Sequence, residues 1–219
     1  MILYTVTGST GKAGYTDISL SGDLTGKGIY VNMTNRCPCS CTFCLRQTKK
    51  MSESNTLWLK EGEPTVEEVL ELFSHYDLNV IKELTFCGFG EPLERLEDIC
   101  QVIDELRKQY PDLKIRVNTN GLANLIYNKD ITPMLKGRFD TVSISLNAPD
   151  AKEFLELTRS KFGIQSYDKM LEFASLAKNY VPNVVMTVVE KVMPEEKIAK
   201  CQKICDDLGV KLRVRVFEE

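Results

Sequence analysis

Apolar residues recur along this chain with two alternating periods. Short β-rich runs at 28–34, 84–87, 114–118, 141–146, 184–189 and 211–217, several of them alternating between apolar and polar side chains, predict six β-strands. Between them the period lengthens to that of a helix. Val66, Val69, Leu70 and Phe73 form one stripe, opened by Thr65-Val66-Glu67-Glu68 in capping-box order. Leu96, Ile99, Ile103 and Leu106 form a second, and Ile198, Cys201, Cys205 and Leu208 a last one closed by Gly209. A longer helical region over 151–180 is expected to break near Gly163, with Ser166 as a new N-cap. Strands separated by helices need crossover connections, and these build parallel sheets. The expected fold is α/β: a partial (βα)6 TIM-like barrel of parallel strands with an N-terminal hairpin or extension. Residues 1–27 form the N-terminal strand and a Gly/Ser/Thr-rich excursion, and 28–219 the core domain.

The polar positions within the strands fall on one side of each. Tyr30, Asn32 and Thr34 share a face of the first strand, and Arg116, Asn118 and Asn120 one of the third. Ser143, Ser145 and Asn147 share one in the fourth, and Arg213 and Arg215 one in the sixth. Ile29, Val31 and Met33, like Val142, Ile144 and Leu146 or Leu212, Val214 and Val216, form opposite faces suited to packing beneath helices. A filled barrel carries bulky branched residues inside, so a polar lumen points to an internal ligand. Solvation at a sheet edge is an equal reading for Arg213 and Arg215. The loop at 45–64, with Arg46, Lys49, Lys50 and Trp58, is long enough to be functional. Its plain alternative is a solvated linker with Trp58 against a helix. The glycine-rich segments 8–13 and 22–28 lack the spacing of a triphosphate loop.

Composition narrows the class. Hydrophobic residues at 43% and charged residues at 27% exclude wholesale disorder. A net charge of -3 argues against nucleic acid as a partner held by bulk positive charge. No apolar run is long enough to cross a bilayer, and the start lacks the basic head and apolar stretch of a signal peptide. A cytoplasmic location without a membrane partner is expected.

Of eight cysteines, four crowd into eight positions: Cys37, Cys39, Cys41 and Cys44. In a reducing compartment such clustering indicates a metal centre rather than disulfides. With His75 the single histidine, that centre would be built from sulfur. The cluster follows the first strand of the parallel series, at the end where such folds place their sites. Cys37, Cys41 and Cys44 have C-x3-C-x2-C spacing, which can hold three irons of a [4Fe-4S] cluster and leave the fourth open. Structural zinc on four sulfurs and a four-cysteine ferredoxin site are the competing readings. Cys100, Cys201 and Cys205 sit on apolar stripes and read as core, as does Cys87 at the end of a strand.

Further markers follow at the ends of consecutive strands: Gly88-Phe89-Gly90-Glu91-Pro92, Asn118-Thr119-Asn120-Gly121 and Ser143-Ile144-Ser145-Leu146-Asn147. With the three-cysteine loop and Phe43 before its last cysteine, the segment 28–219 resembles the radical S-adenosylmethionine (SAM) superfamily. The opening residues, the phrase 30–38 and the segments 57–59 and 63–65 look most like its TatD-linked group. Cys39 departs from the polar residue, such as asparagine, of related loops.

The resemblance implies one [4Fe-4S] cluster on Cys37, Cys41 and Cys44, with SAM chelating the open iron. Gly88, Gly90 and Glu91 would bind its methionine amino group, the backbone near Phe43 its adenine, and Ser145 and Asn147 its ribose or carboxylate. Asn118 belongs to the same cofactor-binding set. An external one-electron donor of flavodoxin or ferredoxin type would reduce the cluster. Cleavage of the sulfonium would then give a 5'-deoxyadenosyl radical that takes hydrogen from a small-molecule or peptide substrate. Catalytic side chains beyond these are not identified. The alternatives are an activase for a glycyl-radical enzyme, an RNA-modifying enzyme, which the charge balance disfavours, and a non-catalytic zinc or Fe–S module, which would leave the glycine turn without a purpose. Arg116, Arg213 and Arg215 point to an anionic group on the substrate or on SAM itself.

Overall fold

The computed structural model describes residues 1–8, 13–48, 56–190 and 193–216. Eight strands form one sheet: β1 (Leu3–Thr7), β2 (Gly14–Asp17), β3 (Gly28–Val31), β4 (Glu83–Phe86), β5 (Ile115–Thr119), β6 (Thr141–Ser145), β7 (Asn183–Val189) and β8 (Lys211–Arg215). Their order is β2-β1-β3-β4-β5-β6-β7-β8. From β3 to β8 every neighbouring pair is parallel. β1 runs antiparallel to both β2 and β3, so the N-terminal hairpin extends the same sheet. β2 and β8 stay as opposite edges, which leaves an open, partial barrel.

The helices are α1 (Leu45–Thr48), α2 (Val66–Ser74), α3 (Leu96–Gln109), α4 (Ala123–Tyr127), α5 (Ala151–Thr158), α6 (Ser166–Ala177) and α7 (Glu195–Leu208). The capping box of α2 is complete: Glu68 N–H donates to Thr65 Oγ1 at 3.1 Å, and Thr65 N–H to Glu68 Oε2 at 2.8 Å. Such caps are worth about 0.5–2 kcal/mol. α3 has no side-chain cap, but Glu97 and Asp98 in its first turn and Arg107 and Lys108 in its last match the helix dipole. Gly209 closes α7 at φ 65°, a left-handed conformation that glycine adopts without strain. Ser166 does not cap α6 as expected; it is the first helical residue, and its buried hydroxyl turns inward to Ser160 Oγ at 2.8 Å.

Alternation along the strands sorts the two faces. Ile29, Val31, Leu84, Phe86, Ile115, Val117, Val142 and Ile144 are fully buried beneath the helices. Phe86 meets Phe139 edge-on at 6.3 Å. Large buried side chains of this kind contribute about 1.5–3 kcal/mol each. The cover fails at the last strand, where Val214 is 44% exposed and Val216 is exposed as well. As an edge strand, β8 lacks the second neighbour that would help to cover this face. The other face carries Tyr30, Thr85, Arg116, Asn118, Ser143, Ser145 and Thr187 toward the lumen. No helix among the described residues is long and apolar enough to cross a membrane.

A candidate cofactor site at the carboxyl ends of the strands

β3 leaves the ladder at Val31, earlier than its alternation suggests, and Asn32 to Arg36 carry the chain into the cysteine loop. The end of α5 pins that loop: Ser40 N–H donates to Thr158 O and Thr42 N–H to Leu157 O, both at 2.9 Å. Asn35 exchanges hydrogen bonds with the Leu59 backbone at 3.0 and 3.1 Å. Glu63 accepts from Thr34 and pairs with Arg36 at 2.9 Å and with Arg95 at 3.3 Å. Segment 56–64 thus clamps the loop, while 49–55, with Lys49 and Lys50, lie outside the described residues. Trp58 is not tucked against a helix; it is 46% exposed, with the Arg46 guanidinium 5.9 Å from its ring centroid.

The glycine turn after β4 lies against this loop so closely that side chains have no room. A Cβ on Gly90 would stand 2.2 Å from Thr34 O and 2.6 Å from Arg36 O, and one on Gly88 would stand 2.1 Å from Asn32 Oδ1. These two glycines therefore fit the turn to the cysteine loop, whatever else they bind. Glu91 is buried, and both of its carboxyl oxygens accept hydrogen bonds from its own chain. Oε1 accepts from Thr119 Oγ1 at 2.6 Å and Leu93 N–H at 3.2 Å, and Oε2 from Asn120 N–H at 2.7 Å. Its carboxyl joins the ends of β4 and β5. Burial pushes its pKa up to about 8 against these three donors. Spacing could not reveal this bracing, because Thr119 and Asn120 are supplied by another strand.

All ten residues expected at the site line one cavity of about 250 Å³: Cys37, Cys41, Cys44, Phe43, Gly88, Gly90, Glu91, Asn118, Ser145 and Asn147. Cys39, Cys87, Asn120 and Arg215 line it too. Asn120 Nδ2 is 3.9 Å from the sulfurs of both Cys37 and Cys39. Its place beside Asn118 in the Asn-Thr-Asn-Gly run was the only sign of that role. Cys87, read as core, is a half-buried wall of the cavity, and burial raises its thiol pKa.

The loop thiols act on one another. A hydrogen bond from Cys39 lowers the Cys37 pKa to about 7 and is also the largest cause lowering that of Cys41, while the same contacts raise Cys39 strongly. Burial raises Cys44. Among the described residues no three His, Cys, Asp or Glu side chains converge on a single metal ion. Thiols spaced around a cavity suit a cluster that takes one sulfur at each of several corners. The cavity also contains two unanswered acceptors, the buried Oδ1 atoms of Asn118 and Asn147. Asn147 holds φ 58°, a left-handed conformation that asparagine tolerates better than most residues. A polar ligand carrying hydroxyl or amino donors would satisfy both atoms.

Comparison with known proteins agrees with this arrangement. The family model of the radical SAM superfamily matches residues 31–208. The GTP 3',8-cyclase of Corynebacterium glutamicum (strain R) is 30% identical over 195 residues, covering 85% of this chain and 48% of its own. That of Paenarthrobacter nicotinovorans is 28% identical over 137 residues, covering 60% and 35%. The chain thus spans half or less of the length of these curated relatives. Streptococcus suis SuiB bound to its precursor peptide SuiA has the same fold, with a TM-score of 0.61 at 16% identity over 90% of this chain and 40% of that one. A family match over most of the chain, with the cysteine loop and the strand-end markers around one cavity, places this protein in the radical SAM superfamily of enzymes.

Proposed function

We propose that this chain binds one [4Fe-4S] cluster through Cys37, Cys41 and Cys44 and cleaves SAM reductively to remove hydrogen from a small-molecule or peptide substrate. The observation that carries this reading is the shared cavity of the three thiols, the glycine turn and the orphaned Asn118 and Asn147 acceptors. When bound, the cluster supplies the electron that splits the sulfonium of SAM into methionine and a 5'-deoxyadenosyl radical.

The protein's own part is to hold and orient. Glu91, held by Thr119, Asn120 and Leu93, braces the strand ends and keeps one acceptor site on Oε2, so it and the backbone of 88–90 are the candidates for the methionine amino group. Asn120 faces sulfur and tunes the thiolates. Asn118, Ser145 and Asn147 offer polar contacts to the nucleoside, and Phe43 an apolar wall. The substrate named for the curated relatives is GTP, but this chain covers half or less of those proteins, and no residue contact ties GTP to it.

The test is anaerobic reconstitution, reduction by dithionite and detection of 5'-deoxyadenosine by mass spectrometry. A cluster signal in electron paramagnetic resonance that changes on adding SAM, with product formation, is expected. Tight zinc without iron, or a spectrum indifferent to SAM, would remove the proposal.

A further inference from the structure

Below the cofactor cavity the lumen changes character. A second cavity, of about 410 Å³, is lined by Tyr30, Lys82, Glu83, Thr85, Lys114, Arg116, Asn118 and Arg213. It lies toward the amino ends of β4 and β5 and meets the upper cavity at Asn118, which lines both. Four cations and one carboxylate face it. Glu83 is already neutralised by Arg116 in a bidentate pair at 2.8 and 2.9 Å. Lys114 reaches Asp140 at 3.3 Å. Arg213, on edge strand β8, has no carboxylate partner among the described residues.

Arg213 stands exposed on this edge strand, as Arg215 does, with its charge turned to the cavity mouth rather than to a carboxylate. Partial burial, then the like charges of Arg116 and Arg215, lower the Arg213 pKa. Arg215 stands two residues along the same face and lines the upper cavity. The register continues this face across the sheet, with Thr187 opposite Arg213 and Val189 opposite Arg215. A concave wall with surplus positive charge concentrates anions even where its cations are exposed, and a guanidinium fork matches the oxygens of phosphate or carboxylate. The buried Asn118 Oδ1 at the junction has no partner, so a ligand crossing from one cavity to the other meets an open acceptor on its way.

We propose that this lower cavity is an oxyanion site for the substrate, in which Arg213, supported by Lys82, holds a phosphate or carboxylate group. The inference rests on the proposed function, because it places the reactive carbon of that substrate above, near Asn118, and its anionic group below. Two strand positions separate Asn118 from Arg116, about 7 Å. The substrate is therefore an anion whose charged end lies several bonds from the hydrogen removed.

Isothermal titration of the anaerobically reconstituted protein tests this, with inorganic pyrophosphate as one probe and tricarballylate as the other. Saturable binding of pyrophosphate alone identifies a phosphorylated substrate, and of tricarballylate alone a carboxylic one. Arg213→Gln should weaken the bound probe at least tenfold and Arg213→Glu should abolish binding, while Lys136→Gln, at an exposed position, leaves it unchanged. Arg213→Gln should not lower the melting temperature, since it relieves repulsion from Arg116 and Arg215. Should that variant fail to fold, the wild-type titration decides, because affinity must fall as salt rises. Binding of neither probe, equal binding in Arg213→Gln, or binding indifferent to salt would overturn the proposal. The readout needs no SAM cleavage: a protein that binds pyrophosphate but makes no 5'-deoxyadenosine keeps this site and loses the proposed function, and the reverse result does the opposite.

Discussion

Two sets of cysteines in this molecule differ in everything but side chain. Cys100 on α3 and Cys201 and Cys205 on α7 are buried among apolar neighbours, which raises their thiol pKa values to about 11, 11 and 12. Cys37 and Cys41 are also largely covered, yet theirs are lowered, chiefly by the neighbouring Cys39 thiol, with the Arg46 guanidinium adding to the effect. Burial alone makes a thiol inert; burial beside a donor and a cation prepares a thiolate. The helical set contributes packing; in the loop, Cys37 and Cys41 are lowered while Cys44, raised by burial, behaves as the helical set does.

The strongest separation should appear in iron binding. Cys41→Ser is expected to lower cluster iron from about four atoms per chain to below one after anaerobic reconstitution, while Cys201→Ser retains the full complement by iron assay. Equal loss in both variants would erase the distinction. Next in size is thiol reactivity in the iron-free protein at pH 7.5. Iodoacetamide should modify Cys37 and Cys41 about a hundredfold faster than Cys201 and Cys205, as peptide mass mapping would show.

Gly90→Ala would sharpen the contrast further. Its new Cβ meets backbone oxygens that cannot swing aside, so the turn must part from the loop, at about 2–4 kcal/mol by denaturant titration. Loop thiols should then alkylate faster and helical thiols at the old rate.

A smaller effect follows from Glu91, whose carboxyl is raised in the folded state. The stability it contributes is complete below the ordinary carboxyl value, declines as pH rises and is gone above about 8. The iron-free protein should therefore be about 1–3 kcal/mol less stable at pH 9 than at pH 5 through this group, and Glu91→Gln should remove that part of the slope. Smallest is the stability loss in Cys201→Ser, about 1 kcal/mol, from a buried hydroxyl in place of a thiol.

Much of this was legible in the chain. Ile115 and Val117 against Arg116 and Asn118 state the two faces of β5 outright, and the six parallel strands follow from such alternation. The cysteine loop was legible because its residues are local in sequence. What stayed hidden depends on partners distant in sequence. Nothing near Glu91 announces that Thr119 and Asn120 will occupy its oxygens, and the glycines at 88 and 90 reveal their crowding only once Asn32, Thr34 and Arg36, beyond the end of β3, lie beside them. Ser166 was misread for the same reason, since Ser160 competes for its hydroxyl. Pairing of β1 with β3 leaves no periodic trace, so the hairpin's place in the sheet had to be seen.

The contact between Asn120 and Cys37 joins positions 83 residues apart. A ribosome presents the amino end first, so the three sulfurs emerge well before the strand that steadies them, and before the glutamate brace that fixes that strand's end. The growing chain therefore passes through a stage in which its loop thiols are exposed but their geometry is not yet set. Iron delivered at that stage would meet a loose loop, which makes late, post-translational loading the order of assembly that this topology favours.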